Sequence, residues 1–306
     1  MNTLLGYDAT QMPKRTMRFR LFSIQAHIGN DNPDYAQLFN QLAGLRRMSR
    51  IAGNRVIAAG NPMLTNGGPS ASNRLFLTVY SGDNEKNITW FDLKEQAEIT
   101  STAEEGRFVA KKTYVLIDPG MKRIALEAGK GHPSADDLAE FLEDQARKLA
   151  GFEKLDLTFS PVAVPKFAQQ IERLQRIQAA SVVIARPNPD WTDRLDQLTQ
   201  TANDSNAKVV ETSVRAGRNE GLAKDAGLVR YIKEWVTGAF PSLKNAKLKG
   251  NLEGSSAPIE LKLTDYIETA SFAFDVDATT KRPLDSEIQK GLHLLLDTRK
   301  EEKHNA

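Results

Sequence analysis

The chain of 306 residues contains no cysteine. That absence excludes disulfides, thiol nucleophiles, iron–sulfur clusters and cysteine-ligated zinc. It fits a reducing cytoplasm. Histidine is scarce as well: His27, His132, His293 and His304 are the four, and no two share a helical turn at metal-ligand spacing. A histidine-rich metal site is not expected, which leaves oxygen ligands for magnesium as the open route. No cofactor is expected. No run of about 18 uncharged apolar residues is present, so no transmembrane helix is expected. Residues 1–16 are polar, so no secretion signal is expected either. The Gly-x-Ser-x-Gly, P-loop and dinucleotide patterns are missing.

What is present is an ordinary globular balance, with 40% hydrophobic and 26% charged residues and a net charge of +2. This composition points to a soluble cytoplasmic protein with a real core. The charge is unevenly spread. Residues 1–60 hold eight Lys/Arg, among them Arg18, Arg20, Arg46, Arg47 and Arg50, against three acids. Residues 83–105 reverse this with seven acids and two lysines. Such asymmetry permits a basic face that meets phosphates.

Residues 17–28 are aromatic and branched enough to predict a strand. Asn32-Pro33-Asp34 then opens a helix with Tyr35, Leu38, Phe39, Leu42 and Leu45 on one face, ending before Gly53. Short strands are predicted at 55–59, 74–81 and 88–91, with a Gly/Asn/Pro/Ser-rich loop over 60–73. Residues 108–117 and 123–127 form a hairpin around Asp118-Pro119-Gly120. Ser134 caps a helix through Ala150, closed by Gly151. Further on, the pattern predicts strands at 155–159, 181–185 and 208–214, with helices at 166–178 and from Pro187 to about Asn206. That alternation implies an α/β sandwich with crossovers. A helix at 222–236, strands at 244–248, 259–263 and 271–276, and a helix at 284–296 complete the chain. The expected fold is mixed, α+β or α/β. A β-rich domain with one long helix spans 1–130, an α/β sandwich domain spans 131–298, and a frayed charged tail spans 299–306.

Several segments invite chemistry. Gly129-Lys130-Gly131-His132-Pro133-Ser134 leads into a helix and could hold an anion, but Asp136 and Asp137 in the first turn oppose one. Glu260-Leu261-Lys262 has the Glu-x-Lys form of a magnesium-dependent nuclease half-site, and equally the alternation of an ordinary strand. Asp275 and Asp277 flank Val276 and could share a cation, though acids at strand ends are commonly turn residues. His27 ends an apolar strand and reads as a core histidine rather than a base. The basic groups carry the most weight. They are Arg46, Arg47 and Arg50 at the end of the first helix, Lys111, Lys112, Lys122 and Arg123 on the hairpin, and Lys244, Lys247 and Lys249 further on. Phosphate binding requires that such residues share a surface.

Three stretches carry a family resemblance. They are Asp34 to Arg50 leading into Val56, Trp90-Phe91-Asp92 followed by acids, and Arg186-Pro187-Asn188-Pro189-Asp190. They resemble an uncharacterised bacterial domain of unknown function met near mobile or phage-related genes, over about residues 17–280. The order of elements around Tyr114 to Leu149 is more loosely similar to the A component of the lambda Rex phage-exclusion system. That resemblance implies a non-enzymatic component of antiviral defence that binds DNA without marked sequence preference. It also implies an effector partner in the membrane. A metal-dependent nuclease using Glu260 and Lys262, and an interaction scaffold that recruits an effector, stand as alternatives. A homodimer is the default assembly.

Overall fold

The long strand β1 (Lys14–Ile28) organises the structure. A computed structural model describes residues 13–29, 31–45, 48–52, 55–66, 73–83, 87–92, 97–102, 107–148, 152–186, 204–205, 207–238, 242–277, 279 and 282–304. After β1 come α1 (Tyr35–Ala43), β2 (Met48–Ala52), β3 (Arg55–Thr65), β4 (Arg74–Asp83), β5 (Asn87–Asp92) and β6 (Ala97–Thr102). Next are β7 (Lys111–Asp118), β8 (Arg123–Glu127), α2 (Ala135–Arg147), β9 (Leu155–Pro161), α3 (Lys166–Glu172) and β10 (Leu174–Ala185). The last are β11 (Val209–Arg215), α4 (Gly227–Thr237), β12 (Leu243–Leu252), β13 (Pro258–Lys262), β14 (Thr269–Asp275) and α5 (Asp285–His304).

The content is mixed α and β, as expected. Two main sheets form, one in the order β14-β1-β8-β7-β4-β3-β2 with β9 also on β1, the other in the order β11-β10-β12-β13. Every ladder among the described strands is antiparallel. The crossovers inferred from strand–helix alternation would have made parallel neighbours, and none joins the described strands. The first sheet runs across residue 130, because β9 and β14 both pair with β1.

Local chemistry explains most elements. Asp34 caps α1 by accepting from Gln37 N. The helix stops at Gly44, well short of Gly53, and Met48–Ala52 continues as an edge strand. Ser134 and Asp137 form a reciprocal capping box at the start of α2. The expected hairpin is present, with Asp118 paired to Arg123 and Met121 N donating to Asp118 Oδ1. β3 extends beyond 59 because Asn61 and Pro62 fall in a register shift between Gly60 and Met63, where a proline disturbs no ladder.

The expected helix over 166–178 is α3 followed directly by β10. Register shifts between Leu174 and Arg176 and between Ile177 and Ala179 explain the misreading. Each shift turns the next side chain over, so Leu174, Ile177 and Ala180, three apart, all face the core. Helical spacing here comes from a bulged strand. The helix expected from Pro187 to Asn206 lies outside the described residues, apart from Asp204 and Ser205. So do Gly151, Arg46 and Arg47. The final helix runs on to His304.

Three apolar layers hold these parts. One face of the first sheet packs on α1 and α2 through Phe22, Ile24, Phe39, Leu42, Phe141 and Phe159. Its other face packs on α5 through Phe19, Phe76, Leu116, Ile288 and Leu292. The second sheet buries one face on α3 and α4 through Ile171, Ile177, Val182, Ile232 and Leu248. None of the described helices is long and apolar enough to cross a membrane.

A buried ion network fastens α5. Arg74 is 0% exposed; its Nε donates to Asp118 Oδ2 at 2.7 Å and its Nη2 to Asp297 Oδ1 at 2.7 Å. Its Nη1 donates to His293 Nδ1 at 2.9 Å. Nδ1 therefore carries no proton, and Nε2–H faces Thr65 Oγ1 at 3.0 Å. Burial, then the Arg74 charge, holds the His293 pKa below its ordinary value. Removing Arg74 strands Asp118 in the core. We expect Arg74→Ala to lower the unfolding free energy by about 3–5 kcal/mol in a urea titration. A loss under about 1 kcal/mol contradicts this assignment.

Candidate nucleic-acid interface

Helices cover one face of the second sheet, and none of the described elements covers the other. On β12 the outward residues are Asn245, Lys247 and Lys249, and on β10 they are Ala179, Ser181 and Val183. β11 adds the exposed Glu211, Ser213 and Arg215. Register places these in cross-strand rows. Ala179 lies between Arg215 and Lys249, Ser181 between Ser213 and Lys247, and Val183 between Glu211 and Asn245. On the outer edge Lys247 faces Lys262, and Lys249 faces Glu260. Strands are about 4.8 Å apart, so Lys247 and Lys262 are close like charges. Such a pairing destabilises a sheet. Glu260 offsets part of it, 3.0 Å from Lys262 Nζ.

A second open face adjoins the first. In the first half of β1, Met17, Phe19 and Leu21 are buried against α5, while Thr16, Arg18 and Arg20 point out the other way. Further along, that outward parity carries Phe22 and Ile24, which α1 and α2 cover. Beside Arg18 and Arg20, β14 presents the small residues Ser271 and Thr269. Arg18, Arg20, Arg215, Lys247 and Lys249 have no ion-pair partner among the described residues.

The two faces meet at a cleft of about 570 Å³. Arg20, Phe22, Leu126, Phe159 and Pro161 line it from the first sheet. Val183, Lys244 and Asn245 line it from the second, with Thr264 and Ile267 between β13 and β14. Its rim charges are mostly matched: Lys244 pairs with Asp136 at 2.9 Å and Arg55 with Asp137 at 2.7 Å. Asn245 Oδ1 is buried with no hydrogen-bond partner among the described residues.

Residues 129–134 also border this cleft. At its helical end Asp137 Oδ2 accepts from Ser134 N, and Ser134 Oγ accepts from Asp137 N. The capping box occupies donors that an anion would need, which supports the reading of a capped helix start. His132 Nδ1 lies 2.7 Å from Thr113 Oγ1, and Nε2 lies 3.6 Å from Glu127 Oε1. The order resembles a nucleophile–base–acid relay, but Thr113 is 0% exposed and meets no substrate. Burial pushes the Glu127 carboxyl up to about 7. Burial, helped by Lys111 and Arg15, pushes His132 down to about 4. At neutral pH His132 is therefore uncharged and Glu127 is only about half ionised.

The eight described residues of the ten cations singled out in the sequence do not share one surface. Arg46 and Arg47 lie outside the described residues. Arg50 lies on β2, not at a helix end, and pairs with Glu140 at 2.8 Å. Lys111 and Lys112 start β7, and Lys112 is held by Asp285 at 2.8 Å. Lys122 and Arg123 lie past the far end of that strand, roughly 23 Å away by strand rise. Lys122 has φ of 51°, and its ammonium sits 5.1 Å from the Tyr35 ring. Lys244 is taken up by Asp136. Lys247 and Lys249 do come together, and Lys262, Arg215, Arg18 and Arg20 join them in the open faces.

The nuclease half-site gains nothing from the geometry. Glu260 is surrounded by Lys247, Lys249 and Lys262, which hold its carboxyl below the usual range, Lys262 foremost. No cluster of three His, Cys, Asp or Glu that could hold a metal occurs among the described residues. Asp277 Oδ1 accepts from Thr279 N in a turn, and Asp275 is opposite Lys14. His27 is a core histidine, its Nε2 3.0 Å from Arg186 O. Arg18, Arg20, Arg215 and Lys262 were missed as members of this surface, although the alternation of Arg18 and Arg20 with Met17, Phe19 and Leu21 was readable.

Fold and surface together define a mixed α/β protein whose antiparallel sheets present, among the described residues, two cationic faces around a cleft. Residues 15–233 match the model of a family described as "Domain of unknown function (DUF4747)", and the chain belongs to that family. The match includes Arg18, Arg20 and Arg215 and ends before β12. No curated protein matches the chain.

Glu127 gives a test of the cleft electrostatics. Its pKa is raised from 4.5 to about 7, so its contribution to stability is full below 4.5 and is lost as pH rises through 7. His27, His132 and His293 are lowered, so their contribution is lost as pH falls below 6.5. Glu127→Gln should raise the unfolding free energy above pH 7 by on the order of 2 kcal/mol and change little below pH 4.5. Parallel stability–pH curves for the two proteins contradict this.

Proposed function

We propose that the protein binds nucleic acid through the phosphate backbone, independently of sequence, across its two open sheet faces. The supporting observation is the grouping of Lys247, Lys249, Lys262 and Arg215 on one face, with Arg18 and Arg20 across the cleft. Small residues between these cations, such as Ala179, Ser181 and Ser271, let a backbone come close to the sheet. Neutralising several phosphates releases counterions and makes binding strongly salt-dependent. A solvated surface is the ordinary explanation of exposed lysines. Here the direct opposition of Lys247 and Lys262 costs stability that an anionic ligand would recover.

The same proposal carries a role as a non-enzymatic, DNA-binding component of antiviral defence in the bacterial cytoplasm, acting with an effector partner. That role rests on the resemblance to phage-associated proteins, the Rex A component among them. The scaffold alternative shares the effector but needs no DNA.

Fluorescence anisotropy with labelled DNA over a salt series tests the binding. Affinity should fall steeply with salt, and Lys247→Ala or Lys249→Ala should each flatten the log–log slope by about 1 for every sequence tried. Arg50→Ala, which breaks an internal pair with Glu140, should leave the slope unchanged. A flat salt response, or equal effects of Arg50 and Lys247, overturns the proposal.

A further inference from the structure

Resting on that reading, we infer that the preferred ligand is single-stranded, and that the cleft between the sheets receives one unpaired nucleobase as the strand crosses from Arg18 and Arg20 to Lys247 and Lys249.

Charge separates the roles of cleft and faces. Inside the cleft, Lys244 and Arg55 are answered by Asp136 and Asp137 at 2.9 and 2.7 Å. The interior therefore offers little net attraction to a phosphate. Arg20 at its border, and Arg18, Lys247 and Lys249 outside it, lack ion-pair partners among the described residues. Phosphates belong on the faces and a neutral group belongs between them.

The lining agrees. The half-buried Val183 and Ile267 give the cleft an apolar side over a floor of buried Phe22, Phe159 and Pro161, and Asn245 adds an amide that both donates and accepts. That combination suits the flat face and polar edge of a base. The volume of about 570 Å³ lies within the roughly 300–1,000 Å³ of pockets that enclose small ligands. In a duplex the bases are stacked and paired, so reaching the cleft would cost the pairing as well. A strand whose bases are already free pays neither cost.

Location favours the crossing. Arg20 and Asn245 both border the cleft, and each is two residues along its strand from an outward cation, Arg18 and Lys247. A backbone held by both faces passes the mouth.

The test compares three labelled ligands on the full chain by anisotropy: oligothymidine, an abasic strand of equal length and charge, and a duplex. Oligothymidine should bind roughly tenfold more tightly than the abasic strand and more tightly than the duplex. Val183→Trp, which fills the cleft without removing charge, should erase the preference over the abasic strand and leave the salt slope intact. Equal binding of all three ligands by the unaltered protein overturns the inference and leaves phosphate binding standing. Binding of none overturns both. The comparison on the unaltered protein decides the matter even if Val183→Trp fails to fold.

Discussion

Leu21 anchors, through its backbone, the two chain segments that lead from the first sheet to the second and back. Its N–H donates to Glu268 O at 3.0 Å, and its carbonyl accepts from Val162 N at 3.0 Å. Glu268 N closes the knot on Val162 O at 2.7 Å. At this residue one edge of β1 passes from β14 to β9. Before it, Arg18 and Arg20 point into the open; after it, Phe22 and Ile24 point into the core. The chain leaving β9 leads to α3 and the second sheet, and the chain reaching β14 comes from it. Three backbone bonds thus set the junction where the cleft lies. Backbone polar groups in such a place must be paired, which makes the crossing point hard to move.

Electrostatics then sorts the cations into two populations. Helix α2 carries Asp136, Asp137, Glu140 and Glu143 on successive turns, and these collect Lys244, Arg55, Arg50 and Lys208. Those pairs link α2 to β12, β3, β2 and the residue before β11. As exposed or partly exposed bridges they contribute modestly to stability. Their larger consequence is subtraction: cations so engaged are not offered to a ligand. What is left outside is smaller and more ordered than the charge count of the sequence implied. It lies on strands, where side chains alternate and every second residue faces one way.

Much of the architecture was legible. The Asp-Pro-Gly hairpin, the Ser134 cap and the amphipathic starts of α1 and α2 follow from local chemistry, which sequence carries directly. Two kinds of feature were not legible. Bulges in β10 imitate helical spacing at Leu174 and Ile177, so periodicity alone misassigned them. Sheet partners are the other kind: nothing near Arg18 in the chain announces that β14 will stand beside it. Basic residues adjacent in sequence, such as Lys111 with Lys112, drew attention that their geometry does not reward. Those separated by one residue on a strand, Arg18 with Arg20 and Lys247 with Lys249, end on a common face.

The central claim is that the two open faces form one anion-binding surface through the junction at Leu21. Ultraviolet cross-linking to a thymine-rich strand, followed by peptide mass spectrometry, addresses it most directly. Cross-links should fall on peptides of β1 before Leu21 and of β12, within the same complexes. Cross-links confined to the ends of the β7–β8 hairpin, or spread evenly over the chain, would contradict it.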